Sequence, residues 1–371
     1  MVDPIRLFAA TQQSLCQTSI REGETKVGQK IQLLSSTDTS QFESALAASV
    51  NAGARYALIG VPEDIGPRAN LGRPGADKAW DAFLQFFLNM QCNRFLDASQ
   101  FLLVGSVDLT DIKANETERA AGGTPSLRDL RELCAEIDER VYPVIHKIVL
   151  AGLEPIVIGG GNNNSFPTIK GVISALRERE KNPGLAMGTV NCDPHGDFRL
   201  IEGRHSGNPF TYADRDGLLK AYCLLGADEN YNSEDMLGRL AQRGYPVFFF
   251  DDVLRGTETW EQQVQHAIDY LAKSKTATGL ELDLDGIKQM PASAKTPFGI
   301  TEEQAFYFIH KVASSLDTNY LHLSEAAPPC GEDGIRSVGK VLAKAVVEYA
   351  RGRERYRSAH ALASTAAAAG V

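Results

Sequence analysis

From Tyr56 onward, short apolar runs recur at 56–61, 101–106, 155–159, 185–192, 221–226, 246–250, 279–284 and 319–324. Each is followed by a glycine or acidic turn and then by a helical pattern. A strand buried on both faces reads as an unbroken apolar run, and strands that alternate with helices run parallel because every crossover returns the chain to the same end of the sheet. The pattern predicts one α/β domain over 51–351, built on a mainly parallel sheet of about eight strands covered on both faces. Helices are expected at 126–151, 166–180, 233–243, 258–274, 301–316 and 335–351. Pro143 should kink or restart the first of these. Thr301, followed by Glu302 and Glu303, makes a good helix start, with the hydroxyl as cap and the acids beside the positive end of the helix dipole. Residues 1–50 are polar and turn-rich and read as an N-terminal extension that wraps the domain or contributes to an oligomer contact. The alanine-rich stretch 352–371 reads as a disordered tail.

Composition narrows the classes of function. A formal net charge of −9 excludes a sequence-independent nucleic-acid binder, which needs a basic surface. No apolar stretch is long enough to span a bilayer. The start, Met-Val-Asp-Pro-Ile-Arg, lacks the charged head and long apolar core of a signal peptide. The six cysteines, at 16, 92, 134, 192, 223 and 330, include no Cys-x-x-Cys pair. They read as free thiols in a reducing compartment, so a cytoplasmic location is expected.

The chemistry concentrates in two acidic motifs. Residues 191–199, Asn-Cys-Asp-Pro-His-Gly-Asp-Phe-Arg, space Asp193, His195 and Asp197 two apart where a strand should give way to a loop. Further on, Asp283 and Asp285 alternate with Leu280, Leu282 and Leu284, and Glu281 shares their phase. Side chains at i, i+2 and i+4 of an extended segment share one face, so each motif can aim a fan of ligands at one point. Cys192, by the same alternation, should point away as a packing residue. Carboxylates buried beside a sheet end cost several kcal/mol per uncompensated charge, which favours a cation over the alternative of solvated loop acids. A lone Asp-x-Asp is weak evidence; its combination with Asp-x-His-x-Asp carries the argument.

Both motifs, the turn Gly159-Gly160-Gly161-Asn162-Asn163-Asn164, and Glu325 fall at carboxyl ends of expected strands, where ligands collect in open parallel sheets. The glycine turn lacks the Gly-Lys-Ser/Thr of a phosphate loop. Its asparagines read either as a turn or, at Asn162, as a ligand. Residues 60–66, with Arg68, Asn70 and Gly72, read as a rim loop that shapes a pocket. His146, His266, His310 and His360 fall in helical or tail segments and His322 inside a strand, so none is expected to act in catalysis.

Taken in order, these segments resemble the arginase (ureohydrolase) family, whose sequence runs Gly-Gly-x-His, Asp-x-His-x-Asp, Asp-x-Asp, and a Glu shortly before a proline. Residues 191–199 and Ser206-Gly207-Asn208-Pro209-Phe210 are most similar to the formimidoylglutamases. The resemblance implies a three-layer α/β/α fold, a homo-oligomer, and a pair of Mn2+ ions bridged by hydroxide. Asp193 and Asp283 would bridge the metals, His195 and Asp285 would complete one site, and Asp197 would belong to the other. Asn162 stands where the family has its remaining histidine ligand, so the second ion is expected to bind weakly and a one-ion site is the alternative. Lys288 stands where an Asp is usual and offers a charge to neutralise nearby carboxylates in place of a metal, and Glu281 replaces a small residue. The implied reaction is attack of metal-bound hydroxide on the carbon of a small amidine or guanidino substrate. Asp197 and Glu325 would act catalytically, the first orienting the hydroxide and the second pairing with the substrate's cationic nitrogens. Arg199, His205 and Asn208 would hold the far end, although a salt bridge is an equally good reading of Arg199. The rival function is that of a family member with impaired catalysis and a binding, regulatory or scaffolding role.

Overall fold

The computed structural model describes residues 5–9, 21–120 and 122–368, with side chains to residue 361. The strands are β1 (Leu7–Phe8), β2 (Gln32–Leu33), β3 (Tyr56–Gly60), β4 (Phe101–Val107), β5 (Glu154–Ile158), β6 (Met187–Cys192), β7 (Leu219–Ala227), β8 (Val247–Phe249), β9 (Ala277–Asp283) and β10 (Thr318–Ser324). They form one sheet in the order β1-β4-β3-β5-β10-β9-β6-β7-β8, with β2 also on β4. Every pairing is parallel except β1 with β4.

All eight apolar runs are strands, and the sheet gains two more from the first fifty residues. β1 and β2 are two residues each, too short to carry an apolar period, and they exist because the open edge of β4 offers unpaired N–H and C=O groups. The same segment supplies the Phe42–Asn51 helix, which buries Phe42, Ala45 and Leu46. The described residues of this segment, 5–9 and 21–50, pack into the domain.

Alternation along the strands sorts the core into two layers. Leu58, Leu103, Ile156, Val190, Leu280 and Leu321 face one layer, while Ile59, Val104, Val157, Leu224 and Tyr320 face the other. Helices Ala79–Phe87, Trp260–Ser274, Glu302–Ser315 and Gly334–Ala368 cover the first face. Phe42–Asn51, Leu127–Leu150 and Ser165–Glu180 cover the second. The Thr301 cap forms as expected: its hydroxyl accepts from Gln304 N and the Gln304 side chain accepts from Thr301 N. The helix around Pro143 is not restarted there but runs unbroken over Leu127–Leu150. Its continuous apolar stripe from Leu130 to Val149 is buried, and that packing outweighs one missing backbone bond. No helix among the described residues is long and apolar enough to cross a membrane.

The last helix corrects the expected tail, because it continues past residue 351 to Ala368. An ion cluster around one buried guanidinium holds the helix's first turn past that point. Arg353, 3% exposed, donates to Glu154 at 2.9 Å, to Asp317 at 2.7 Å and to the Leu316 carbonyl, and Arg357 reaches the same Glu154 and the Tyr56 hydroxyl. Residues 369–371 lie outside the described residues. Arg353→Ala should cost about 1–2 kcal/mol, the worth of the hydrogen bonds and packing of a buried guanidinium whose partner Glu154 keeps Arg357. A shift of the urea midpoint checks this; an unchanged midpoint would mean that the helix end is held by other contacts.

Candidate metal centre and active site

The strand order makes β5, β10, β9 and β6 consecutive neighbours. Their register is level at the carboxyl end: Leu323 pairs with Ile158, Ser324 with Asp283, and Cys192 with Leu282. The turns that leave β6, β9 and β10 therefore open onto a shared cavity of ≈350 Å3, with His195, Asp197, Asp283, Asp285 and Glu325 in its wall, and the turn after β5 lies against it through Asn162, which donates to Asp197. Asn70, Arg73, Arg199, Ser206 and Ser293 line it as well. A wider groove of ≈610 Å3 lies elsewhere, but its acids Asp81, Glu332 and Asp333 are exposed and it lacks a buried cluster.

Neither acidic motif is an extended fan. β6 ends at Cys192, and the Asp193 carboxylate accepts from His195 N at 2.8 Å. β9 ends at Asp283, whose carboxylate accepts from Asp285 N at 2.7 Å before a short 3-10 turn. Each aspartate caps the turn that follows it, and that turn swings the next ligand round to the same point. Cys192 packs in the opposite layer, as alternation predicts.

The backbone is strained where the chemistry sits. Asp197 and Glu325 have φ of 44° and 62°, a left-handed conformation that costs a non-glycine residue about 1–3 kcal/mol and persists only where surroundings enforce it. Glu325 N donates to the Gly160 carbonyl at 2.9 Å, its carboxylate accepts from Asn162 N at 2.7 Å, and Ser293 Oγ donates to its other oxygen. Asn191 donates to Asp193 at 3.1 Å, and the Tyr222 hydroxyl and Asn232 hold Gly196 from either side. Under the glycine turn lies buried Glu63, which accepts from Gly161 N and Asn164 Nδ2, both at 2.7 Å. Gly160 has φ of 71°, and a Cβ there would stand 2.4 Å from Asn164 Nδ2 and 2.8 Å from Glu63.

Ligand atoms of Asp193, Asp197 and Asp283 all lie within 4.8 Å of one another, and all three side chains are buried. Burial and mutual repulsion push Asp197 and Asp283 well above the usual carboxylate range. The same causes raise Asp285 to about 6 and Glu325 to about 8. Burial opposes charging His195, yet its contact with Asp193 at 3.3 Å and the fields of Asp285 and Asp197 lift it to about 9. Lys288 does not relieve this crowding. It is exposed and lines a different groove with Lys295 and Glu302. Closely set, buried oxygen donors with one imidazole fit a hard divalent cation, which would reverse each of these shifts.

Three other expected residues are placed differently. The Asn162 amide nitrogen faces the acids, donating to Asp197 at 2.7 Å and Asp193 at 3.3 Å, while its oxygen accepts from Ser165 Oγ at 2.7 Å. His205 and Asn208 are fully buried behind the cavity wall. His205 accepts from Gly207 N and meets Glu202 at 3.2 Å; burial, with Arg131, Arg204 and Arg199 nearby, lowers it to about 3. Asn208 braces its loop through the Leu200 and Gly203 carbonyls and through Arg204. Arg204 itself forms a buried pair with Asp138 at 2.7 Å and ties the loop to the Asn163 carbonyl. These residues hold shape because their polar atoms are already used.

Arg199 does line the cavity. Its side chain lies over Gly207, where a Cβ would come within 2.8 Å of Arg199 Cδ. Neither Arg199 nor Arg73 has a salt bridge among the described residues. Of the rim loop, Asn70, Leu71 and Gly72 reach the cavity, whereas Arg68 turns to Asp64 and Glu116. Arg73, Glu63, Asn191 and Ser293 carry no local motif; only Asn191, in phase with Asp193 on β6, left a trace in the sequence. His146, His266 and His310 sit beside surface glutamates, and no histidine but His195 lines the cavity.

A family model described as the Arginase family matches residues 54–350. The formimidoylglutamase of Photorhabdus laumondii is 26% identical over 286 residues, covering 75% of this chain and 80% of its own length. Among solved structures, formiminoglutamase of Trypanosoma cruzi with Mn2+2 superposes with a TM-score of 0.64 at 21% identity, over 88% of this chain and 99% of its own. The formimidoylglutamase of Bacillus subtilis gives a TM-score of 0.69 at 15% identity, over 91% and 94%. At these identities the structures establish a common fold.

Proposed function

Since the chain belongs to the arginase family and is a hydrolase of carbon–nitrogen bonds in amidino compounds, we propose that it is Mn2+-dependent and acts on an amidine bearing carboxylate groups, with formimidoylglutamate as the best fit. The observation that carries this is the polarity of the cavity. Its floor is acidic and its rim holds two guanidinium groups, Arg73 and Arg199, without salt-bridge partners. A substrate with a cationic amidine at one end and carboxylates at the other complements both.

Asp193, Asp197, Asp283, Asp285 and His195 would hold the cation, which supplies Lewis-acid polarisation and a more acidic water. Glu325, held by Asn162 N and Ser293, is placed to accept from the amidine nitrogens. A cation held beside it would lower its raised pKa, so that Glu325 would meet the substrate as a carboxylate. Asp197, held by the Asn162 amide, is placed to accept a proton from the attacking water. Arg199 fixes the distal carboxylate, which holds the scissile carbon over the acids.

Measuring metal content and turnover after loading with Mn2+ tests the proposal, with formimidoylglutamate, arginine and agmatine as substrates. Bound Mn2+ and a preference for formimidoylglutamate over agmatine, which lacks a carboxylate, are expected. No bound metal and no turnover would favour a non-catalytic binding or scaffolding role. Arg199→Ala should raise KM for a carboxylate-bearing substrate about tenfold to a hundredfold, the worth of a charge-assisted hydrogen bond. A fall in kcat at unchanged KM would move Arg199 out of substrate binding.

A further inference from the structure

Among the groups proposed to hold the cation, His195 is the one whose orientation the acid cluster does not explain. Its Nδ1 stands 3.3 Å from Asp193, and none of the described residues hydrogen-bonds to its Nε2. The side chain keeps 26% of its surface exposed, so core packing does not lock it either. A ligating imidazole is ordinarily held by a carboxylate or carbonyl on its other ring nitrogen, which fixes its tautomer and its plane. Here the support comes from the loop that follows β7. Asp228 N and Asn232 Nδ2 donate to the Pro194 carbonyl at 3.1 and 2.8 Å, and Asn232 Oδ1 accepts from Gly196 N at 2.7 Å. One amide therefore clamps the main chain on both sides of His195. Its neighbour Tyr231 lies against the imidazole, with ring centroids 5.4 Å and planes 18° apart, and Phe298 stacks on Tyr231 in turn at 6.1 Å and 26°.

Resting on the divalent-cation reading of the acid cluster, we infer that Tyr231 is a positioning residue for His195, its ring face holding the plane of the imidazole, with Phe298 as its backing. The outer torsion of a histidine is broad, and a ring with no hydrogen bond on its outer nitrogen loses that freedom when it ligates. Against a flat neighbour the freedom is already spent: turning the imidazole about Cβ–Cγ lifts it off the tyrosine face and breaks the contact. The stack sets the plane, and Asp193 sets which edge of the ring faces the acids. Tyr231 acts from behind, since it lines no part of the acid cavity and instead walls a neighbouring cleft with Pro194 and Phe298. Its hydroxyl makes no hydrogen bond among the described residues, so the ring carries the role. Neither aromatic residue belongs to an acidic motif: one follows β7 and the other follows β9.

Calorimetric titration with Mn2+ tests this on wild type, Tyr231→Phe and Tyr231→Leu, each first stripped with chelator. Tyr231→Leu keeps apolar bulk but loses the flat face, and should weaken Mn2+ binding about threefold to tenfold, the worth of an aromatic pair. Tyr231→Phe, which keeps the ring, should bind as wild type does. Tyr231 is 38% exposed, so the leucine variant should fold and melt within about 2 °C of wild type in EDTA, as surface substitutions do. Equal affinities in all three proteins, or equal losses in the phenylalanine and leucine variants, overturn the inference. A change in KM at unchanged Mn2+ affinity makes Tyr231 a substrate contact and overturns it as well. Absence of Mn2+ binding in wild type removes the divalent-cation reading and the positioning role with it. Binding that is indifferent to Tyr231 removes the positioning role alone.

Discussion

Asp283→Asn is expected to abolish Mn2+ binding and hydrolysis while making the metal-free protein more stable. The carboxylate is buried at the end of β9 among Asp193, Asp285 and Glu325, and burial followed by their repulsion holds its pKa far above the usual range. Asparagine keeps the shape and still accepts the turn bond from Asp285 N that Asp283 receives at 2.7 Å. It removes an acid that the metal-free fold keeps only at the cost of holding its proton far above the usual range. Activity should fall by about 10³-fold or more, the several kcal/mol of transition-state stabilisation that a metal supplies. In chelator the melting temperature should rise by about 2 °C, from roughly 1 kcal/mol of relieved repulsion. Metal content and melting curves of the two proteins, each with Mn2+ and with EDTA, give both numbers. A variant that melts lower in EDTA and keeps its metal would make Asp283 an ordinary structural acid.

The second large effect is on pH dependence. Asp285 and Glu325 move from 3.8 and 4.5 up to about 6 and about 8, and Asp197 and Asp283 also shift upward. An acid whose folded pKa is raised holds its proton more tightly when native, so its contribution favours folding at low pH and is lost as pH rises through the folded value. His195, raised from 6.5 to about 9, contributes stability that is fully present below 6.5 and is lost as pH climbs through 9. All five groups act in the same direction, so the metal-free protein should lose stability from about pH 5 to about pH 9. A cation must displace these protons, so its affinity should rise over the same range, with protons released on binding. The Mn2+-induced rise in melting temperature should be close to zero at pH 5 and largest near pH 8 to 9. At a thousandfold excess over Kd that rise corresponds to about 4 kcal/mol. Melting curves across pH, and calorimetry in buffers of different ionisation enthalpy, measure the two halves. A Mn2+ effect that does not vary with pH would show that the cluster is already charged without metal.

Much of this protein is visible in its sequence, for identifiable reasons. The eight apolar runs are strands because a strand covered on both faces cannot alternate. Asp193, His195, Asp197, Asp283 and Asp285 were marked by acids at the end of such runs, where a buried charge needs an explanation. The same period misplaced the cause of their convergence, since each motif bends through a turn capped by its own first aspartate. Glu281 shares the phase of Asp283, as its position implied, yet its partners are Tyr320, His322 and Ser165. Identity and phase place a side chain on a face, but the groups it meets there come from other strands.

Where the strands end, and which of those ends carry acid, can be read from the chain, because period and residue type are local properties. Folding in three dimensions inserted β10 and β9 between β5 and β6, setting Asn162, Asp193, Asp283 and Glu325 side by side. It also turned the Asn162 amide nitrogen toward the acids, buried His205 and Asn208, and carried Arg73 to the rim. Strand order, amide orientation and the partners of a buried charge are set by contacts between residues far apart in the chain, where no period in the sequence reaches.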